Sequence, residues 1–215
     1  MSKSTSVDQL IRSLVSQGIH DDRVLSAMRA VPRNLFVRDD QSQRAYEDAA
    51  LPIECGQTIS QPYIVALMTQ ALQLTGEETV LEVGTGSGYQ TAVLSQLCRR
   101  VVSVERHETL AESAKSILSE LQIDNVTFRL GDGTRGCREF APYDGILVAA
   151  ATPSMPRSLA NQLGVGGRIV IPVGDETTQT LILATRTDQG LHTQKLCNCR
   201  FVKLIGREGW SDQDD

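Results

Sequence analysis

The densest chemistry in the sequence lies in one short run, Val80-Leu81-Glu82-Val83-Gly84-Thr85-Gly86-Ser87-Gly88. An apolar stretch that reads as a buried strand enters a glycine-rich turn, and the residues from Tyr89 onward read as a helix. Glycines let the backbone bend sharply and let a ligand approach it closely. A helix opening at such a turn presents free N–H groups and the positive end of its dipole to that ligand. A P-loop would end in Gly-Lys-Ser or Gly-Lys-Thr, and this turn has no lysine. A dinucleotide fingerprint would put its third glycine at position 89, where the sequence has tyrosine.

The turn instead resembles the Glu-x-Gly-x-Gly-x-Gly loop of class I methyltransferases, whose ligand has a zwitterionic methionine end. Glu82 is then a receiver for its ammonium group or for a bridging water. Glu105 closes the next apolar run, about 20 residues past the glycines, where an acid accepts both ribose hydroxyls. Asp132, in Leu130-Gly131-Asp132-Gly133, follows the third run and could accept from the exocyclic amine of an adenine. Each feature alone has a plainer reading: turn geometry, a solvated strand end, an Asp-Gly turn. Three of them ending three successive strands mark the edge where open α/β sheets bind ligands.

The elements that must position these groups alternate along the chain. Strands are expected at Thr79–Val83, Arg100–Glu105, Val126–Leu130, Asp144–Ala149 and Arg168–Val173. Helices are expected between them at Tyr89–Cys98, Thr109–Leu121 and Pro156–Leu163, which makes a parallel sheet of βαβ units. Two more strand-like runs, Thr180–Thr187 and Arg200–Ile205, follow, with Gln189-Gly190 as a turn. Upstream, apolar spacing predicts helices over Val7–Gln17, from Asp21 or Asp22 to Val31, and from Pro62 to Leu72; Pro32 to Gly56 reads as a connecting segment that wraps the domain. Trp210 to Asp215 reads as a frayed acidic tail. The expected organisation is one domain over 1–215, with N-terminal helices and a loop in 1–60, a cofactor-binding core in 61–174 and C-terminal strands in 175–215.

Composition narrows the class. With 40% hydrophobic and 22% charged residues the chain is of globular type, and 215 residues suffice for a core. A net charge of -5 offers no footprint for a phosphate backbone, so nucleic acid is not expected as a partner. Five scattered cysteines without a Cys-x-x-Cys pair argue against a disulfide framework or a zinc site, so no metal is expected. The polar N-terminus shows no signal peptide or membrane span, and a soluble cytoplasmic protein without a membrane partner is expected.

Several motifs resemble the protein-L-isoaspartate O-methyltransferase family. They are Val31-Pro32-Arg33-Asn34-Leu35-Phe36-Val37, Gly56-Gln57-Thr58-Ile59-Ser60-Gln61-Pro62, the Leu81 to Gly88 loop, Gly131-Asp132-Gly133, Pro142-Tyr143-Asp144-Gly145-Ile146-Leu147-Val148 with Ala149-Ala150-Ala151, and Gly166-Gly167-Arg168-Ile169-Val170-Ile171-Pro172-Val173-Gly174. The resemblance implies an α/β, Rossmann-like class I methyltransferase: a central seven-stranded, mostly parallel sheet flanked by helices, with an N-terminal helical extension and an unusual order of the last strands. It implies methyl transfer from S-adenosyl-L-methionine, leaving S-adenosyl-L-homocysteine, to the carboxylate of L-isoaspartyl residues in damaged proteins, by a monomer. It makes Ser60 the active-site residue and Thr58, Ile59, Ala149 and Ala150 substrate contacts. Cofactor contacts are implied for Gln57, Thr58, Ile59, Glu82, Val83, Gly84, Thr85, Gly86, Gly88, Glu105, Arg106, Gly131, Asp132 and Gly133. The chain departs from the family at Lys203, where proline is usual, and at Val65, where some relatives carry histidine.

By spacing alone Ser60, just before Pro62, reads as a helix cap. An isoaspartyl carboxylate is ionised at neutral pH and needs no strong base; His20, His107 and His192 read as solvated. Other acceptors, a small molecule or an RNA, remain alternatives. No Tyr-x-x-x-Lys pair supports a nicotinamide oxidoreductase. A relative that binds cofactor without acting on peptide is a further alternative.

Overall fold

A computed structural model describes residues 6–211. Helix α1 (Val7–Ser16) opens on a capping box, in which Ser6 accepts from the Gln9 amide and Gln9 answers to the Ser6 amide. Helix α2 (Asp22–Ala30) is capped by Asp21, whose Oδ1 accepts from the amides of Arg23 and Val24. The connecting segment forms 3-10 turns at Arg33–Phe36 and Asp39–Arg44, then a hairpin of β1 (Leu51–Pro52) and β2 (Thr58–Ile59). Helix α3 (Pro62–Leu72) follows, with proline in its first turn where no amide is needed.

The core alternates β3 (Thr79–Val83), α4 (Tyr89–Ser95), β4 (Arg100–Glu105), α5 (Glu108–Glu120), β5 (Val126–Leu130), β6 (Tyr143–Val148), α6 (Arg157–Gln162), β7 (Leu163–Gly174), β8 (Gln179–Thr187) and β9 (Gly190–Cys199). The main sheet runs β5-β4-β3-β6-β7-β8-β9. Its first five strands are parallel, and β8 and β9 each join antiparallel to their predecessor. The closing strands therefore follow in simple chain order, by hairpins. The chain leaves β3 first toward β4 and later returns to its other side at β6, which makes the β3/β6 boundary the switch point where such sheets open a ligand crevice.

Both faces of the sheet's centre are covered, so the strands β3, β4 and β6 are buried on both sides. On one face Val80 and Val101 meet Leu14, Leu25, Met28, Met68 and Leu72. On the other, Leu81, Val83, Val102 and Ile146 meet Leu159, Leu163 and Ile169. Burying such large side chains stabilises by about 1.5–3 kcal/mol each.

The strand expected at Arg200–Ile205 is not one. The outer strand is β9, Gly190–Cys199, and its run His192-Thr193-Gln194-Lys195 is exposed, so no hydrophobic alternation announces it. A lysine on an exposed edge suits a strand that must not recruit another. Residues 200–205 instead bridge Ala151, just past β6, at Lys203, and Ile205 bridges Trp210 within the C-terminal segment itself. Trp210 is not frayed, since its indole Nε1 donates to the Ala151 carbonyl at 3.1 Å. The rest of the expected acidic tail, 212–215, lies outside the described residues. Among the described residues no helix is long and apolar enough to cross a membrane.

Candidate active site

At the end of β3 the backbone turns through Gly84, at φ +92°, a region that side-chain-bearing residues rarely enter. The Gly84 amide donates to the Val104 carbonyl at 2.8 Å, and the Ala149 amide donates to the Val83 carbonyl at 2.8 Å. These bonds hold three strand ends level. Above them opens a cleft of about 470 Å³, a size suited to a cofactor-sized ligand.

Its floor is Val83, Gly84, Thr85 and Gly86; one wall is Glu105 and Arg106; and Ala149 and Ala150 lie on the β6 side. Gln57, Thr58, Ile59 and Ser60 line it from the hairpin, and Gly133 closes the end near β5. Gly133 has no room for a side chain, because a Cβ there would fall 2.5 Å from Val83 Cγ1.

The three acids play three different parts. Glu105 lines the cleft, and its carboxylate accepts from the Gly86 amide at 2.9 Å, Arg106 at 2.8 Å and His107 at 3.0 Å. Glu82 is sealed below the floor. Its Oε2 accepts from Thr91 Oγ1 at 2.5 Å and Ser103 Oγ at 2.6 Å, and the Thr85 hydroxyl lies 2.5 Å from that of Ser103. With Ser103 donating to Glu82, Thr85 donates to Ser103, so the acid anchors the glycine turn from beneath. Asp132 faces away from the cleft: Oδ1 accepts from the amide and hydroxyl of Thr134, and Oδ2 accepts from the Arg207 amide at 3.0 Å. Gly88 and Gly131 also lie off the cleft wall, and Gly88 packs against Ala114 of α5.

Burial pushes the Glu82 carboxyl up from its ordinary 4.5 to about 8, because the hydroxyls of Ser103 and Thr91 pull downward too weakly to offset it and Glu105 adds an upward push. A carboxyl that keeps its proton longer when folded stabilises fully below its unfolded pKa, and that contribution is lost as pH rises through the folded value. The thermal midpoint of the ligand-free protein is expected to fall more steeply between about pH 5 and 8 than that of Glu82→Gln. Parallel profiles in scanning calorimetry would refute this.

Ser60 does not cap α3. The cap position is Gln61 with no side-chain bond, and Ser60 sits half-buried in the cleft wall with its hydroxyl bound to no other described residue. Sequence reasoning missed other wall residues. Tyr89, Gln90 and His107 follow directly on motifs it had singled out. Arg200, Phe201, Val202, Lys203 and Leu204 form a strap across the opening. Val65, where some relatives carry histidine, also lines the cleft. Two cations on the strap were the available signal. Lys203 Nζ pairs with Glu176 at 3.2 Å, whereas Arg200 is exposed and forms no ion pair within the described residues. Among the described residues no cluster of histidine, cysteine and acidic side chains could hold a metal.

Comparison with known proteins agrees with this geometry. The family model for protein-L-isoaspartate(D-aspartate) O-methyltransferase matches residues 5–209. The chain is 52% identical over 204 residues to protein-L-isoaspartate O-methyltransferase 1 of Syntrophobacter fumaroxidans, covering 94% of this chain and 95% of that one. A solved protein-L-isoaspartate O-methyltransferase superposes with a TM-score of 0.86 at 32% identity, over 95% of this chain and 67% of the other. A Plasmodium falciparum structure in complex with S-adenosyl-L-homocysteine shares the fold, with a TM-score of 0.81 at 24% identity, over 95% of this chain and 99% of that one. The family match spans every residue that lines the cleft, and the chain belongs to the protein-L-isoaspartate(D-aspartate) O-methyltransferase family.

Proposed function

We propose that the cleft brings a methyl donor and an isoaspartyl segment together, with Glu105 on the donor side and Ser60 on the acceptor side. The chain is a protein-L-isoaspartate O-methyltransferase that uses S-adenosyl-L-methionine. The observation that carries the assignment of roles is the continuity of one cleft from the Gly84–Gly86 turn to the Thr58–Ser60 edge. The donor fits the residues present. Gly84 and Gly86, in left-handed backbone conformation and without side chains, leave the turn open to close approach, and the buried Glu105 carboxylate lies in the same wall, where it can accept from paired hydroxyls.

When bound, the cofactor supplies a methyl group on a positively charged sulfur, which a carboxylate oxygen displaces in line. The protein's own part is positional. Ser60 donates to one carboxylate oxygen and leaves the other aimed at the methyl group. The apolar strap residues Phe201 and Val202 keep water out of the cleft. Thr58 and Ile59, held in the hairpin by pairing with Pro52 and Leu51, present a fixed edge for the acceptor backbone. The resulting ester is attacked by the next backbone nitrogen with loss of methanol, and hydrolysis of that succinimide returns part of it as normal aspartyl residues.

On this reading the acceptors are damaged protein segments, and a monomer suffices because one chain supplies every wall. A net charge of -5 supports the exclusion of nucleic acid, and five unpaired cysteines support a reducing cytoplasmic setting. The test is base-labile methyl ester on an isoaspartyl peptide and none on its aspartyl twin. Equal labelling of both, or labelling only of RNA or a small molecule, would refute the reading.

Arg200 gives a second test. An exposed cation at the mouth attracts an anionic acceptor from a distance. Arg200→Glu is expected to raise KM for an isoaspartyl peptide about tenfold at low ionic strength, with kcat little changed and the effect shrinking in salt. A salt-independent change would show that Arg200 acts by shape instead.

A further inference from the structure

One costly group in the interior is one the proposed reaction does not use. Arg33 is completely buried, 0% exposed, where a cation is poorly tolerated without full pairing. Its Nε donates to the Ala45 carbonyl at 2.8 Å and its Nη2 to Ala49 at 3.4 Å, while Nη1 has no partner among the described residues. Among the described residues no carboxylate forms an ion pair with it. Asp48, which acts on it electrostatically, accepts instead from Tyr63 and Gln17. The guanidinium lies 4.9 Å from the centre of the Tyr89 ring, and Phe36 meets the same ring edge-on at 5.6 Å.

If Arg33 only filled space, an apolar side chain of similar length would serve as well or better. What arginine adds is a rigid fork and a charge for an aromatic face. The fork holds the carbonyls of residues 45 and 49, in the segment that runs into β1, whose pairing with β2 sets Thr58 and Ile59 just ahead of Ser60. The aromatic face belongs to Tyr89, which follows directly on the glycine turn and lines the cleft. Its buried hydroxyl has no partner among the described residues, so packing and the contacts with Arg33 and Phe36, not a hydrogen bond, hold the ring there. One side chain thus touches a wall residue beside the glycine turn and the segment that leads into the hairpin of the other wall.

We propose that Arg33 stacked on Tyr89 is a positioning pair that couples occupation of the cofactor turn to the placement of the acceptor hairpin. The inference rests on the proposed function, since it assigns the two halves of the cleft to donor and acceptor. Coupling of this kind is reciprocal and is read as a ratio of affinities.

The experiment titrates an isoaspartyl peptide into the full-length protein, with and without saturating S-adenosyl-L-homocysteine. In the parent the second ligand is expected to tighten peptide binding about tenfold. In Arg33→Met the ratio is expected to fall to about one, while the affinity for S-adenosyl-L-homocysteine alone stays within about threefold and the melting temperature does not drop. Tyr89→Leu is expected to lose the ratio too, and the double variant to lose no more than either single one. A purely structural role would lower stability and weaken both ligands in parallel with the ratio intact, and that result overturns the proposal. So does a parent with no coupling. Should the methionine variant fail to fold, Arg33→Lys decides: it keeps a cation near the ring but lacks the fork, and a fully parental ratio in it overturns the proposal. A parent that binds no S-adenosyl-L-homocysteine would instead overturn the functional reading itself.

Discussion

Glu105→Ala is expected to bind S-adenosyl-L-homocysteine roughly 10²-fold more weakly than the parent while remaining folded. Two losses combine. The first is direct: a carboxylate in the cleft wall is the natural acceptor for a pair of ribose hydroxyls, and hydrogen bonds to a charged group contribute about 1.5–3 kcal/mol each. The second is organisational. The same carboxylate already accepts from the amides of Gly86, Arg106 and His107, so it ties the glycine turn to the end of β4. Without it those amides lose their acceptor, and the turn that must lie against the ligand is free to move. Glu105→Gln separates the two effects. Its amide oxygen can still serve one side, but its amide nitrogen faces backbone donors on the other. An intermediate loss is expected, read by calorimetric titration beside circular dichroism. Parental affinity in the alanine variant would remove Glu105 from the cofactor site.

Glu82 and Asp132 show what a sequence pattern conveys and where it stops. Three acids at the ends of three neighbouring strands were legible, because strand, glycine turn and helix follow one another with clear changes of rhythm. The strands at Thr79–Val83, Arg100–Glu105 and Val126–Leu130 lie within the bounds that the apolar runs indicate. Which way each carboxylate turns was not legible, since neighbours from other elements decide it. Glu82 is drawn under the floor by Ser103 of β4 and Thr91 of α4. Asp132 is held by its neighbour Thr134 and by the Arg207 amide, far along the chain. Only Glu105 meets donors that leave it in the wall.

The C-terminal part departs from the expected strand for a related reason. Strand signals are patterns of burial, and β9 is the outer strand with little buried on either side. The more apolar run Arg200–Ile205 looked like the strand. It is apolar because it lines a cleft and packs against Trp210, contacts that periodicity does not encode. The departure from family pattern at Lys203 lies in this strap, where the side chain pairs with Glu176 and approaches the Trp210 ring at 5.7 Å.

Ser60 is where sequence pattern and structure separate most usefully, because its two readings predict different measurements. A helix cap replaced by alanine costs about 1 kcal/mol of stability and leaves chemistry alone. Ser60 makes no bond to α3, so Ser60→Ala is expected to keep the parental melting temperature and the parental affinity for S-adenosyl-L-homocysteine. The loss is expected in kcat, by about 10²-fold, the usual effect of removing one donor that orients a reacting group. KM for the peptide should change only a few-fold, since backbone contacts along the hairpin remain. The acceptor carboxylate is ionised well below neutral pH, so no change in the shape of the pH–rate profile is expected above about pH 6. A lowered melting temperature with unaltered kcat would return Ser60 to the role of a cap. A complete loss of activity would mean that it does more than orient, and that proton transfer has to be sought among the neighbouring cleft residues, beginning with His107.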